Sequence, residues 1–385
     1  MSEGRTQRVR EGARRLLEAG VAGRVFPGAS AAIRLPGVEA PLSACAGRLA
    51  ARQPLVDEGT LYDLGDLTQI FTMVTALRLS EAGQLDLDAK LEGLLPDIRV
   101  GEIGEATLAE LLLHRAGFAA WGGLYLDVPN EPGTQAARRW ILIEACRRRE
   151  PGARGRCVVG DLSYLAAGEA ISRHLGRPLE ELVCEQVTRP LGLETEVRYL
   201  AALPLETRAP LVLRTAPTER CDWRGKIIQG APFDENCAAL GGVAGHAGLF
   251  ATARALSSLG AALLDSARAL PNPSQGPRSS AGPAAAGPKA TPFLGAASMT
   301  RMLRDHDGDP QRMAMRLKQE DDPMGRRVGP TALGAFGHTG ASLVVDPEQE
   351  IVIALLTNRV HPSRSNSKID GFRPAFHDGI LAAIG

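Results

Sequence analysis

Residues 61–71 read LYDLGDLTQIF. The apolar run stops at Gly65, and beyond it Leu67, Ile70, Phe71, Val74 and Leu77 recur at the three- and four-residue spacing of one helix face. The spacing predicts a helix over 66–82, closed at Gly83, with Asp66 as its N-cap bonding the free N–H groups of the first turn. This is the framing of a catalytic helix. Yet the polar side chains it carries at the entry are Asp66 and Gln69, which offer neither a nucleophilic hydroxyl nor an amine. The rest of the chain decides what the frame belongs to.

The 385 residues suit one large domain with a sizeable core. Forty-four Lys and Arg balance 44 Asp and Glu, so nothing in the charge draws the chain to nucleic acid or to an anionic membrane. The N-terminal MSEGRTQRVREGARRLLEAGVAG sets its leucines and valines in one stripe between arginines, which predicts an amphipathic surface helix and not a secretory leader. No stretch is long and apolar enough to span a bilayer. Six cysteines are scattered without a CxxC pair or zinc spacing, so free buried thiols are expected. The expectation is a soluble cytoplasmic protein with no metal and no cofactor.

Further helices are predicted over 107–114, 134–149, 161–174, 178–187, 252–264, 297–304 and 372–383. GASAAIRLPG and the segment Leu42–Ala46 read as short strands joined by a turn at Pro36–Gly37. ASLVVD and IVIALLT, separated by Pro347–Glu350, form the strongest hairpin signal. Residues 271–292, built from Pro, Gly, Ser and Ala, read as a flexible insertion. The pattern is α+β. A single domain over 1–385 is expected, with a sheet subdomain from about 1–60 and 293–385 and a mainly helical region over about 61–264.

LYDLGDLTQIFTMVTALRLSEAGQLDLDAKLEGLLPDI at 61–98 resembles the nucleophile segment of the serine β-lactamase and penicillin-binding-protein superfamily, in its class C-like branch of esterases and D-alanyl peptidases. LLLHRAGFAAW (111–121), PGARGRCVVGDLSYLAAGEAI (151–171), RPLGL (189–193), the segment 216–250 and GAFGHTGASLVVDPEQEIVIALLTNRVHPSR (334–364) follow in the order of that family. The resemblance covers nearly the whole chain. It implies the fold of that superfamily: an antiparallel sheet flanked by helices, with a mainly helical region across a cleft.

It also implies three motifs, S-x-x-K, Y-x-N and K-T-G or H-T-G, in which an amine takes the serine proton and backbone N–H groups hold the oxyanion. Here the first reads Asp66–Leu67–Thr68–Gln69, so both chemical members are replaced. The second aligns as Val159–Gly160–Asp161, with Cys157 or Val158 as alternatives at the tyrosine position; none is a phenol. The third, His338–Thr339–Gly340, is intact and expected on a strand, although the chain passes straight to Ala341–Ser342 where relatives carry extra turn residues. Asp234–Glu235–Asn236 is kept, but Phe233 stands where relatives often have His.

Gln69 is expected to hydrogen-bond within the pocket, Thr68 to project elsewhere, and His246 to order a glycine-rich loop. The first expectation for function is a non-acylating homologue whose cleft, lined by Asp66, Gln69, Asp161, His338, Thr339 and Gly340, binds a small acyl, amide or peptide-like ligand, or a protein partner. The alternative is a hydrolase of esterase or amidase type working through Asp66, Asp161 and His338, since two carboxyls sharing a cavity divide acid and base roles.

Overall fold

The computed structural model describes residues 3–98, 100–270 and 291–385; all of the 271–292 stretch except its last two residues lies outside them. The strands, in chain order, are β1 (Gly28–Arg34), β2 (Leu42–Gly47), β3 (Tyr62–Asp63), β4 (Val197–Tyr199), β5 (Arg220–Cys221), β6 (Lys226–Ile227), β7 (Leu249–Ala251), β8 (Arg316–Leu317), β9 (Leu333–Phe336), β10 (Ser342–Asp346) and β11 (Ile351–Thr357). Six of them form one antiparallel sheet in the order β2-β1-β11-β10-β9-β8, so strands from the two ends of the chain meet at its centre. The fold is α+β.

The central strand β11, IVIALLT, is buried along its whole length because helices cover both faces. Ile353 and Leu355 pack with Val9, Ala13 and Leu17 of the N-terminal helix Glu3–Ala22 and with Phe376 and Ile380 of the C-terminal helix Ile369–Ile384. Val352, Ala354 and Leu356 alternate to the opposite face, in one core with Leu256, Leu259 and Leu263 of the helix Ala253–Arg268. An apolar residue every second position thus serves two layers at once.

The helix after Gly65 starts later than its spacing predicts. Gly65–Leu67 forms a 3₁₀ turn, the α-helix runs Thr68–Glu81, and Leu67 is the N-cap with no side-chain capping bond. Every residue from Thr68 to Leu77 is buried, so this helix threads the centre of the core and does not lie on it with one apolar face. Other boundaries also tighten. The 107–114 helix is Leu108–Leu112, opened by a capping box between Thr107 and Glu110. The 178–187 helix is Leu179–Val183 followed by a π turn at Cys184–Thr188. All six cysteines are free thiols. Among the described residues no helix is long and apolar enough to cross a membrane.

Candidate functional site

The cleft is assembled around a buried carboxylate that sequence reasoning passed over. Asp63, at the end of β3, accepts the Gly65 N–H at 2.9 Å and the Phe233 N–H at 2.5 Å, tying the turn that carries Asp66 to the opposite wall. Burial drives its pKa up to about 6 against those two bonds, and the charges of Asp234 and Asp66 add to the rise. An Asp two residues before a glycine, at the mouth of a helix, was the available signal.

Asp66 does not cap its helix. Its Oδ2 accepts the backbone N–H of His338 at 2.6 Å, a charge-assisted bond to the third motif, which outcompetes the first-turn N–H groups. Asp161 opens the helix Asp161–Leu175, its own N–H bonded to Ala120 O at 2.7 Å. Its carboxyl meets that of Asp66. Burial pushes Asp161 well above the ordinary carboxylate range, and the negative charge of Asp66 pushes it further. The two carboxyls named from the sequence are therefore brought together.

His338 departs from expectation. It lies in the reversal between β9 and β10 and not on a strand. Gly337 N–H bonds Ala341 O at 2.8 Å and Gly340 N–H bonds Gly337 O at 3.1 Å, because with no residues between Gly340 and Ala341–Ser342 the motif itself must turn the chain. Arg359 Nε donates to His338 O at 2.6 Å, and the buried Arg373 guanidinium donates to Gly337 O and Ala341 O, clamping the turn. Thr339 faces inward and is buried, its Oγ1 without a partner. The exposed His338 ring stacks on Phe233 with centroids 5.6 Å apart; burial of its inner side and the Arg359 charge lower its pKa, while Asp66 opposes them.

Asp234 caps the helix Glu235–Ala239, accepting the Cys237 N–H at 2.6 Å, and contacts His246 Nε2 at 2.9 Å. Burial works to raise the Asp234 pKa, but His246 and the Cys237 N–H hold it below the ordinary value. His246 moves the other way: burial opposes its charge, yet Asp234, Asp161 and Asp66 together raise it. Its role is thus electrostatic, beyond the ordering of a loop, and its Nδ1 has no partner. Arg364 donates to Glu219 and Glu235, and its guanidinium lies 4.7 Å from the centre of the Phe233 ring.

Asp66, Gly160 and Asp161 form a ridge dividing the cleft in two. One compartment, of about 320 Å³, is lined by the ridge with Trp121, Phe233, Asp234, Glu235, His246, His338 and Arg364. The other, of about 410 Å³, is lined by the ridge with Gln69, Val159, Met315, Arg316 and Phe336. Gln69 lines this second space but, among the described residues, its amide finds no hydrogen-bond partner, contrary to the sequence expectation. Thr68 is buried and accepts the Leu249 N–H at 3.4 Å, away from both compartments. Val159 is the tyrosine-position candidate that lines the cleft; Cys157 and Val158 do not. Another hydroxyl–imidazole contact, Ser342 Oγ to His377 Nε2 at 3.2 Å, is fully buried and reaches neither compartment.

Among the described residues, Glu219, Cys221 and Glu235 place donor atoms within 4.8 Å of one another, as a metal site would. The Arg364 guanidinium already bonds both carboxylates, and Arg224 Nε lies 3.2 Å from the thiol, so arginines supply the positive charge there.

Asp63 and Asp161 hold a proton more tightly in the folded chain than in the unfolded one. Stability is therefore fullest near the ordinary carboxylate pKa and falls as pH rises through the raised values. Asp63 alone, moved from 3.8 to about 6, contributes on the order of 3 kcal/mol to that fall. The raised His246 acts in the same direction, whereas the lowered Asp234 matters only in more acid solution. Thermal melts should give a lower midpoint at about pH 8 than at about pH 5. Asp161→Asn, which keeps a hydrogen bond to Asp66 without the charge, should narrow the gap; a gap unchanged in the variant would remove Asp161 from this account.

With the geometry in place, the kinship of the chain is clear. The family model described as Beta-lactamase matches residues 13–373. A putative D-alanyl-D-alanine carboxypeptidase of Escherichia coli (strain K12) is 24% identical over 343 residues, covering 82% of this chain and 73% of that protein. Among solved structures, EstCE1, a hydrolase with promiscuous acyltransferase activity, superposes with a TM-score of 0.72 at 15% identity, over 98% of this chain and 99% of that one. A class C β-lactamase from Rhodobacter sphaeroides gives 0.67 at 17% identity, over 96% and 99%. This chain belongs to the Beta-lactamase family, within the superfamily of serine β-lactamases and penicillin-binding proteins.

Proposed function

We propose that this chain is a member of its hydrolase family that captures no acyl group by the serine route, and that its cleft binds a small acyl-, amide- or peptide-like ligand. The contact that carries this reading is the Asp66 carboxylate on the His338 N–H at 2.6 Å. At the family's serine position stands an anion that consumes a backbone donor of the third motif. Attack by a carboxylate on an ester or amide makes an anhydride, harder to reach than an acyl-serine. Gln69, at the amine position, accepts no proton at any useful pH. Asp66 also repels the carboxylate that penicillin-like and D-alanyl ligands carry. A fluorescent penicillin and a fluorophosphonate probe should both leave the purified protein unlabelled; a covalent adduct mapped within residues 61–71 would overturn the reading.

A second reading has one observation in its favour. Asp161 lies beside Asp66 with its pKa pushed up by burial and by that neighbour's charge, the kind of split that lets two carboxyls act as acid and base. On this reading the chain is a hydrolase of esterase or amidase type, with His338 at the rim. Hydrolysis of p-nitrophenyl esters that disappears in both Asp66→Ala and Asp161→Ala would favour it over the first.

A further inference from the structure

The 410 Å³ compartment holds a polar group that the protein leaves unclaimed. Gln69 is 6% exposed, stands on the first turn of the helix Thr68–Glu81, and among the described residues its amide has no hydrogen-bond partner. Nor is it sealed off. Tyr62 Oη, Thr339 Oγ1 and His246 Nδ1 are unpartnered and fully enclosed, whereas the Gln69 amide opens on the compartment. The helical turn that carries it is buried, so the amide is held in place before any ligand arrives. The charges around it are already met. Arg316 lies 2.8 Å from the buried Asp322 carboxylate. Burial lowers the His114 pKa to about 4, so that ring is neutral. Asp66 is engaged by the His338 N–H, and beyond the ridge the raised His246 is the counter-charge of Asp66 and Asp161. The remaining wall is largely apolar, with Met315, Phe336 and a 56% exposed Val159.

We propose that this second compartment takes a neutral ligand group with an N–H and a C=O on one edge (a primary carboxamide, a ureido group or a cyclic imide), paired edge to edge with the Gln69 amide, and with the hydrocarbon frame of the ligand against Val159 and Phe336. The inference rests on the reading of the cleft as a binding site and names the chemical class that this half of it accepts. Two amides facing one another exchange two hydrogen bonds, each N–H donating to the other's carbonyl oxygen, so neither polar group of the ligand is left unpaired when water is displaced. An ester brings only the acceptor. A carboxylate adds a charge that no free cation meets, and an ammonium leaves the Gln69 N–H without an acceptor. An amine at position 69 could not make this pair, because an ammonium only donates. The replacement that ends proton transfer thus equips the same position to read a neutral edge. The volume suits a ring-sized ligand.

The test is a head-group series on one ring: benzamide, N,N-dimethylbenzamide, benzoate and benzylamine, titrated calorimetrically into the full chain at about pH 7. Benzamide should saturate with a Kd of about 1 mM, ordinary for a fragment of its size. N,N-dimethylbenzamide, which keeps the carbonyl but has no N–H, should bind roughly tenfold more weakly, and the two charged compounds more weakly still. Gln69→Met fills the same space without donor or acceptor. It should bring benzamide down to the level of the dimethyl compound and leave the latter's affinity as it was, whereas a change that merely loosened the compartment would weaken both together. Asp307→Asn, on an exposed turn, should alter neither. Benzamide no tighter than its dimethyl derivative, benzoate or benzylamine tighter than benzamide, or no saturation up to about 20 mM overturns the proposal. Because the series needs only the wild-type chain, a variant that fails to fold leaves it decided. The fluorophosphonate experiment separates the two claims. An adduct at 61–71 alongside benzamide binding sinks the non-acylating reading alone, whereas an unlabelled protein that does not tell benzamide from the dimethyl compound sinks the carboxamide pairing alone.

Discussion

Gly340→Ala should destabilise the fold by about 5 kcal/mol, read as a fall in the urea midpoint at unchanged slope. Gly340 sits at φ +100°, a region that costs an L side chain of order 1–3 kcal/mol. A Cβ there would stand 2.0 Å from Thr357 Oγ1 and 2.8 Å from Arg359 Cγ, in a core with no slack. Thr357 cannot simply rotate away, because its hydroxyl bonds Thr339 O at 3.2 Å. The damage reaches the cleft, since the same turn presents the His338 N–H to Asp66. Pairing the change with Thr357→Ala removes the obstruction but not the backbone strain, so the double variant should recover roughly half the loss. A Gly340→Ala protein that unfolds with the wild type would mean that the turn is not built this way.

Gly160→Ala should cost about 4 kcal/mol for a different reason, overlap with main chain and not with a side chain. The added Cβ would lie 2.1 Å from Ala120 O and 2.4 Å from its Cα. Relief requires the 159–161 segment to part from residues 118–121, breaking the Asp161 N–H bond to Ala120 O. That moves Asp161 away from Asp66. The variant should therefore show both a lower midpoint and a smaller difference between melts at about pH 5 and about pH 8. Loss of stability with the pH difference intact would separate the backbone contact from the carboxyl pair.

Much of the scaffold was readable in local pattern. The β10–β11 hairpin, the helix that carries Tyr164 and the amphipathic first helix each declare themselves in a window of a dozen residues, and the order of family segments supplied the topology. Asp66, Asp161 and His338 could be brought together only through the geometry that resemblance implies. What stayed hidden depended on partners far along the chain. Asp66 reads as a helix cap because its neighbours offer N–H groups, but the donor that wins is 272 residues away. The third motif reads as strand because its relatives are, and the shortening that turns it into a bend is visible only as missing residues. The helix over Thr68–Glu81 has enough one-face spacing to look amphipathic, yet contacts on all sides bury it. Asp63 gives almost no signal, since its two N–H partners belong to a glycine beside it and a phenylalanine 170 residues on.

The bond from Asp66 to the His338 N–H also acts as a latch across the mouth of the cleft, fastening the helical half of the molecule to the edge of the sheet. Any rocking that widened the gape would have to pull a charged acceptor off its donor, so the bond resists opening of the mouth. Putting a hydroxyl at position 66 would exchange that charged acceptor for a neutral one, so the change that restored a nucleophile would also weaken the latch.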